Sequence, residues 1–323
     1  MAKVVFSGNS YQLEDQESIL LGLERHGVSI PSSCRSGVCQ TCMLLAVKGE
    51  VPSSAQVGLK PTLQKQGYFL ACLCKPEQDM EIALPGEDAK HHYIVKVLQK
   101  TLLSNDVIRL RLSRDPTFQY YPGQFISIYH PDGKLVRSYS LAGVPEDEYL
   151  ELHVRYLPGG QMTSWIKDSV EPGDELRIDA AVGDCFYIED DPQKKLLLIG
   201  TGTGLAPLLG IVRDALSKGH QGDIYLYHGS QSGDGLYLQE ALTNLSSQYA
   251  NFTYIPCVSG NEESGLYAKG RANEIALHDH PSLKGYKVYL CGHPDMVAST
   301  KKKAFLAGAS LSDIFSDPFI ISK

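Results

Sequence analysis

The chain has 323 residues, enough for two or three domains of ordinary size. Apolar residues make up 43% and charged residues 21%, which is typical of folded globular proteins and excludes a disordered chain. The 30 Lys and Arg against 37 Asp and Glu give a net charge of −7, which argues against a nucleic-acid partner. With no apolar stretch of about 20 residues and no signal-peptide core, we expect a cytoplasmic protein without a membrane partner.

Residues 1–88 are predicted to form a first domain that mixes strands and helix. A short β-pair, Lys3–Phe6 with Tyr11–Leu13, precedes a helix over Ser18–His26. A cysteine-containing loop follows, and the later apolar runs have the lengths of strands. These strands are expected at Met43–Lys48, Tyr68–Cys72 and Met80–Leu84.

Residues 89–190 are predicted to form an all-β second domain. Short runs of alternating apolar and polar residues are separated by turn residues such as Pro131-Asp132-Gly133. The pattern predicts a small barrel or sandwich of about six antiparallel strands, with one inserted helix at Met162–Ser169. Of the two, we expect the six-stranded antiparallel β-barrel. The expected strands are Tyr93–Gln99, Val107–Leu112, Gln124–Tyr129, Val136–Leu141, Tyr149–Tyr156 and Glu175–Asp179.

Residues 191–323 are predicted to form an α/β third domain. Lys195–Ile199 is a continuous apolar run, as is typical of a strand buried on both faces of a parallel sheet. Strand and helix patterns then alternate, which predicts a doubly wound parallel sheet. Further strands are expected at Asp223–His228, Phe252–Val258 and Lys287–Leu290, and helices at Leu205–Lys218, Leu236–Gln248, Arg271–His278 and Pro294–Leu306.

Most of the cysteines lie in the first domain. Cys34, Cys39 and Cys42 are separated by four and then two residues, and Cys72 and Cys74 follow on a predicted strand that would point both thiols to one face. Four thiolates can hold two sulfide-bridged irons, and this is the plant-type 2Fe-2S ferredoxin spacing. A zinc site is the alternative, although structural zinc ligands usually come as two short knuckles.

Three motifs follow one another in the second domain: Tyr121-Pro122-Gly123-Gln124-Phe125, Arg137-Ser138-Tyr139-Ser140 and Gly159-Gly160-Gln161-Met162-Thr163-Ser164. In order and spacing they resemble the flavin-binding signatures of the ferredoxin-NADP reductase superfamily. The resemblance implies that this domain binds a flavin, and that this flavin is FAD rather than FMN.

Each motif has a physical use in holding a flavin. Arg137 can pair with a flavin phosphate, Tyr139 can stack on the isoalloxazine ring, and the Ser140 hydroxyl can lie near flavin N5. Taken singly, a surface ion pair, a cross-strand aromatic and a hairpin turn would explain these residues, but the ordered set favours flavin. The turn into the predicted helix can present free N–H groups to the pyrophosphate, through Gly160, Met162 and Thr163.

A glycine-rich loop, Gly200-Thr201-Gly202-Thr203-Gly204-Leu205-Ala206-Pro207, follows the first strand of the third domain. Glycines let the backbone turn tightly against a pyrophosphate, and the following helix N-terminus stabilises its charge. The usual G-x-G-x-x-G fingerprint does not fit. The G-x-G-x-G-x-x-P form resembles the nicotinamide-binding loop of the same superfamily, which implies cofactor contacts from Gly202, Thr203, Gly204 and Pro207.

Two further segments resemble parts of that superfamily. Cys291-Gly292-His293-Pro294 resembles its C-G-x-P turn, which implies that Cys291 and Gly292 lie beside the nicotinamide and that Cys291 acts with Tyr139 and Ser140 in hydride transfer, without covalent chemistry. A buried thiol at a strand end is the alternative for Cys291. The tail Ile314–Phe319 resembles an aromatic tail that reaches toward the flavin; Phe319 is either a gate residue or part of an apolar end that docks on the sheet.

The segment His228–Leu236 follows the second strand and should read the 2′ position of the nucleotide. It contains no Arg or Lys, and Asp234 would repel a 2′-phosphate. The sequence therefore predicts NADH as the electron donor, with Asp234 at the cofactor.

Ferredoxin, flavin and nicotinamide modules in this order resemble, over essentially the whole chain, the reductases that feed bacterial Rieske dioxygenases and di-iron monooxygenases. The resemblance implies a β-grasp ferredoxin fold for the first domain, with Cys72 rather than Cys74 as the fourth cluster ligand. It also implies that NADH gives a hydride to FAD and that electrons leave singly, through the 2Fe-2S cluster, to a terminal oxygenase component or a small ferredoxin.

Two alternatives stay open at this stage. A reductase of the same architecture could serve a sugar deoxygenase, or the chain could be a zinc-bearing binding protein without redox activity. A flavin oxidase is disfavoured because it would not need an iron–sulfur module. The first domain has 7 Lys and Arg against 10 Asp and Glu, which predicts a basic docking face on the partner.

Overall fold

The computed structural model describes residues 2–87, 92–261 and 265–319. The chain divides into two compact units, Met1–Lys90 and His91–Lys323. The first unit contains the predicted ferredoxin-like domain, and the second contains both the β-domain and the α/β domain. The residues at which the three domains were expected to meet, near 88 and 190, stay predictions.

The first unit is built on a five-stranded mixed sheet with the strand order β2-β1-β5-β3-β4. Strands β1 (Lys3–Phe6) and β2 (Asn9–Gln12) form a hairpin, and β5 (Met80–Ala83) pairs parallel with β1. Strands β3 (Met43–Lys48) and β4 (Tyr68–Leu70) pair antiparallel. This is the predicted β-grasp arrangement.

Helix α1 (Ile19–Arg25) covers this sheet and begins where its capping residue predicts. The Ser18 hydroxyl accepts a hydrogen bond from the Leu21 N–H at 3.3 Å, which satisfies a first-turn donor. Leu20 and Leu23 are buried against the sheet. A second helix, α2 (Pro61–Lys65), is short and was not predicted.

The predicted strand Tyr68–Cys72 is too long by two residues. Strand β4 ends at Leu70, because the N–H groups of Leu73 and Cys74 both donate to the Leu70 carbonyl, at 2.9 and 3.0 Å. These bonds turn the chain, so Cys72 and Cys74 do not share one face of a strand. Cys74 is fully buried, whereas Cys72 is half-buried.

The β-domain of the second unit is a closed barrel of six antiparallel strands, as predicted. Their order is β10-β7-β6-β11-β8-β9, and a bridge between Leu141 and Leu152 joins the two ends. Helix α3 (Gln161–Asp168) follows β10. The strands are β6 (His92–Leu102), β7 (Val107–Ser113), β8 (Phe125–Tyr129), β9 (Val136–Ser140), β10 (Tyr149–Arg155) and β11 (Glu175–Asp179).

The α/β domain has a six-stranded, entirely parallel sheet in the order β15-β14-β13-β12-β16-β17, as predicted for a doubly wound fold. The strands are β12 (Leu196–Thr201), β13 (Ile224–Ser230), β14 (Phe252–Val258), β15 (Ala268–Lys269), β16 (Lys287–Gly292) and β17 (Ile314–Pro318). The helices are α4 (Leu205–Ser217), α5 (Gln239–Gln248), α6 (Ala272–Asp279) and α7 (Pro294–Leu306). In the described part of the chain, no helix has the length and apolar character needed to cross a bilayer.

One prediction for this domain differs from the structure. Helix α5 begins at Gln239 rather than Leu236, because Gly233–Gly235 forms a 3-10 turn and Leu238 has a left-handed φ of 57°. The tail forms β17, whose buried Ile314 and Phe315 dock on the sheet beside β16, as one of the two readings of the tail expects.

Candidate functional site

Four of the five cysteines of the first unit form two pairs. The Cys39 N–H donates to the Cys34 sulfur at 3.3 Å, and the Cys34 N–H donates to the Cys39 sulfur at 3.4 Å. The second pair is Cys42 with Cys72, which share a side-chain hydrogen bond. The loop that carries Cys34 and Cys39 contains two residues with a left-handed backbone, Arg35 with φ 56° and Gly37 with φ 81°. No three His, Cys, Asp or Glu side chains in the described ranges are grouped to hold one metal ion.

The local electrostatics favour thiolate at the exposed pair. Backbone N–H groups of Cys39 and Ser36 lower the pKa of Cys34 to about 6, and a hydrogen bond from the Thr41 hydroxyl lowers the pKa of Cys39. Burial raises the pKa of Cys74 to about 12, which holds it as a neutral thiol. Two pairs of cysteines fit a 2Fe-2S cluster, since its four thiolates are shared between two irons.

A large cleft, of about 1840 Å³, lies in the second unit between the barrel and the α/β domain. It brings together most of the residues that the sequence predicts to bind flavin and nucleotide. Those that line it are Arg137, Tyr139, Ser140, Gly160, Met162, Thr163, Gly202, Thr203, Asp234, Gly292 and Phe319. Gly204, Pro207 and Cys291 lie behind its wall and do not line it.

The barrel side of the cleft is built by β9 and the start of α3. Arg137 and Tyr139 are half-buried on β9, and burial raises the pKa of Tyr139. Helix α3 begins after Gly160, where no side chain caps it, so its first-turn N–H groups are available to an anionic group. The Thr163 hydroxyl bonds to the Gly160 carbonyl at 3.2 Å and fixes this turn.

Ser140 connects the barrel to β17, the strand next to the one that carries Cys291. Its hydroxyl donates to Asp317 Oδ2 at 2.9 Å, and Asp317 is the partner of Cys291 in the pairing of β17 with β16. Burial, together with the nearby charge of Asp184, raises the pKa of Asp317 to about 6. Asp317 was missed from the sequence, although it lies in the tail that was singled out for Phe319.

The glycine-rich loop packs directly against the turn after β16. A Cβ on Gly204 would collide with the Cys291 carbonyl, so glycine is required there for close packing rather than for ligand contact. Cys291 is fully buried, with its sulfur 3.9 Å from the sulfur of Cys185, and burial raises its pKa well above the usual value. Pro207 lies buried in α4, whereas Gly202 has a left-handed φ of 56° and faces the cleft.

The end of the cleft near Asp234 contains two residues that sequence reasoning missed. Arg271 and Asn273 line the cleft together with Asp234, because α6 begins beside the end of β13. A Cβ on Gly229 would lie 2.9 Å from the Cβ of Ala272, which shows how closely the two elements approach. Asn273 is 8% exposed. A guanidinium therefore reaches the end of the cleft where the local segment offers none.

Phe319 lies at the mouth of the same cleft. Its N–H donates to the Gly292 carbonyl at 2.8 Å, which extends the pairing of the tail beyond β17. Ile314 and Phe315 dock on the sheet while Phe319 lines the cleft, and a gating role for Phe319 stays a prediction. His293 is exposed, and its Nδ1 accepts the Asp295 N–H at 3.3 Å at the start of α7.

Comparisons with known proteins agree with this arrangement. Family models match a 2Fe-2S iron-sulfur cluster binding domain at residues 5–77, an oxidoreductase FAD-binding domain at residues 94–187 and an oxidoreductase NAD-binding domain at residues 198–302. The match to the iron–sulfur domain favours an iron cluster over zinc.

Curated relatives match over nearly the whole chain. The reductase component of the naphthalene 1,2-dioxygenase system of Pseudomonas putida is 30% identical, covering 94% of this chain and 93% of its own. The reductase subunit of an aromatic O-demethylase of Amycolatopsis sp. is 32% identical, covering 93% and 92%. The crystal structure of a cytochrome P450 reductase from Amycolatopsis is 31% identical, with a TM-score of 0.69 and 99% coverage of both chains. The chain therefore belongs to the three-domain reductases of the ferredoxin-NADP reductase superfamily, oxidoreductases that carry a 2Fe-2S cluster, FAD and an NAD-binding domain.

Proposed function

We propose that this protein takes electrons from NADH and delivers them singly to an oxygenase component or to its small ferredoxin. The observation that carries the proposal is the shared cleft, in which Ser140 of the barrel bonds to Asp317 beside Cys291. When bound, FAD accepts a two-electron hydride and the 2Fe-2S cluster passes electrons one at a time. The names of the relatives, which belong to dioxygenase and O-demethylase systems, support an oxygenase as the acceptor.

The residues of the cleft have distinct tasks in this proposal. Arg137 and the first turn of α3 hold the flavin phosphates, and Tyr139 packs on the flavin ring. Gly202 and Thr203 bring backbone close to the nucleotide pyrophosphate. Ser140 lies where the two rings would meet, and Asp317 fixes the direction of its hydroxyl. Cys291 is buried next to Asp317, behind the residues that line the cleft.

The four paired cysteines, Cys34 with Cys39 and Cys42 with Cys72, are proposed to hold the cluster. Cys74 is left out because it is fully buried, whereas Cys72 is half-buried, and because the turn after β4 separates it from Cys72. The excess of acidic residues in the first domain supports a basic docking face on the acceptor.

The proposal is tested by loading and reduction of the purified protein. Iron, sulfide and FAD are quantified, and NADH is added without oxygen while flavin and cluster absorbance are followed. Bleaching of both centres, followed by NADH-driven reduction of a Rieske-type oxygenase component or its ferredoxin, is the expected result. A cluster that stays oxidised under excess NADH would overturn the route. Reduction of a sugar deoxygenase but of no oxygenase component would assign the alternative acceptor.

Arg271 gives a prediction about nucleotide choice. Because a guanidinium pairs well with a phosphate, we expect Arg271→Ala to lower kcat/KM for NADPH by about tenfold while that for NADH falls less than about threefold. Asp234→Asn is the opposing variant and should improve NADPH use. Steady-state kinetics with both nucleotides measure this. An equal loss for NADH and NADPH would mean that Arg271 contacts a group common to both.

A further inference from the structure

A line of buried polar contacts runs from the barrel toward the glycine-rich loop. The Arg111 Nε donates to Glu151 at 2.7 Å, and Glu151 Oε1 lies 3.1 Å from His153 Nε2. His153 Nδ1 lies 3.1 Å from the hydroxyl of Tyr237, which belongs to the α/β domain. His153 is 4% exposed and Tyr237 2%, so water competes little for this hydrogen bond.

The carboxylate of Glu151 fixes the direction of these bonds. Burial alone would raise its pKa, but hydrogen bonds from His153 and Arg111 hold the pKa at about 2. An ionised carboxylate only accepts, so His153 Nε2 must donate to it. Burial also lowers the pKa of His153, which favours the neutral ring. In that ring Nδ1 accepts a hydrogen bond from the Tyr237 hydroxyl. The barrel thereby holds Tyr237 in one orientation.

His228 continues the line from Tyr237 to the loop. The two rings meet edge to face, with centroids 5.5 Å apart and planes at 84°. His228 Nε2 lies 3.2 Å from the Gly202 carbonyl, and Nδ1 lies 3.3 Å from the Tyr254 hydroxyl. A carbonyl only accepts, so Nε2 donates to Gly202 and Nδ1 accepts from Tyr254. The ring therefore holds the backbone at Gly202, the left-handed residue of the loop.

We infer that Tyr237 is a positioning residue for the pyridine nucleotide, held by Glu151 and His153 and acting through His228 on Gly202. Tyr237 directly follows the segment His228–Leu236, which carries Asp234. This inference rests on the proposed function, because it takes Gly202 and Thr203 as nucleotide contacts. Its distinctive consequence is that barrel residues control nucleotide affinity.

The test is Tyr237→Phe, which removes one hydroxyl and keeps the ring. Nucleotide binding should weaken, with KM for NADH and the Kd for NAD⁺ rising about fivefold to twentyfold, while kcat changes less than about twofold. FAD content should stay as in the parent protein. The matched control is Tyr187→Phe, because Tyr187 also bonds a buried histidine, His220 Nδ1 at 3.0 Å, but His220 does not line the cleft, whereas His153 does. That control should leave KM and Kd unchanged.

A second variant tests the barrel end of the line. Glu151→Gln should raise the Kd for NAD⁺ in the same direction, and the double variant with Tyr237→Phe should show less than the product of the two effects. Kd is measured by calorimetry on the FAD- and iron-loaded protein. If the parent protein binds NAD⁺ and Tyr237→Phe binds it equally well, the inference is wrong. If the parent protein does not bind NAD⁺, the proposed function itself fails.

Discussion

Loss of the 2Fe-2S cluster is the expected result of Cys72→Ser. Cys72 shares a hydrogen bond with Cys42, and these two thiols form the second of the two cysteine pairs. A serine hydroxyl is a poor ligand for iron, so the cluster should lose one of its four attachments. Bound iron and sulfide should fall by at least about tenfold, and NADH-driven reduction of a protein acceptor should fall in parallel. FAD content should not change, since the flavin residues lie in the second unit.

Cys74→Ser is the control for this prediction, because it makes the same chemical change two residues away. Cys74 is 0% exposed, so a hydroxyl there should destabilise the first unit by about 1–3 kcal/mol. The cluster should nevertheless remain, with normal iron content and normal absorbance. If iron were lost from Cys74→Ser and kept in Cys72→Ser, the assignment of the fourth ligand would be reversed.

The sequence predicts the helices and strands of this protein better than it predicts which of them pair with one another. The runs Met43–Lys48 and Glu175–Asp179 are confirmed residue by residue, because a short apolar run, continuous in the first and alternating in the second, is a local signal. The close of the barrel at Leu141 and Leu152 and the docking of the tail as β17 are not local. They depend on which strands become neighbours, and only the folded chain decides that.

The same distinction applies to the cleft. Arg137, Ser140 and Gly202 could be identified because short motifs carry them, and the cleft brings them together. No sequence motif marks Arg271. It lines the end of the cleft near Asp234 only because α6 begins beside β13. Asp317 was missed for a related reason: its importance comes from a hydrogen bond to a residue 177 positions away.

The contact between Ser140 and Asp317 gives the second prediction of large effect. In the proposed function Ser140 lies at the reacting rings. The ionised Asp317 accepts a hydrogen bond from the Ser140 hydroxyl and thereby orients it. We expect Ser140→Ala to slow flavin reduction by NADH about 10- to 100-fold and Asp317→Asn about tenfold, with FAD retained. Rapid mixing of NADH with the oxidised protein, without oxygen, measures this rate. A Ser140→Ala protein with the parent rate would contradict the role.

The raised pKa of Asp317 makes this prediction depend on pH. The carboxyl has a folded pKa of about 6 against an ordinary 3.8, so its charged form is disfavoured by burial. The parent rate should therefore fall as pH drops through about 6, where Asp317 gains a proton, and Asp317→Asn should lack that limb. Asp184→Asn removes a nearby negative charge and should move the limb to lower pH.

The titration of Asp317 should also change the folding stability. As pH rises, stability should fall, whereas the rate of flavin reduction should rise. Because the folded pKa lies above the unfolded one, the favourable contribution of the neutral carboxyl is complete below about 3.8 and is lost as pH rises through 6. The gap between the two pKa values corresponds to about 3 kcal/mol at most. The asparagine of Asp317→Asn cannot ionise. The melting temperature of this variant relative to the parent should therefore rise between pH 4 and pH 7, a range that covers most of the interval between the two pKa values. A constant difference across that range would show that Asp317 is not the titrating group, and the pH limb of the rate would then need another source.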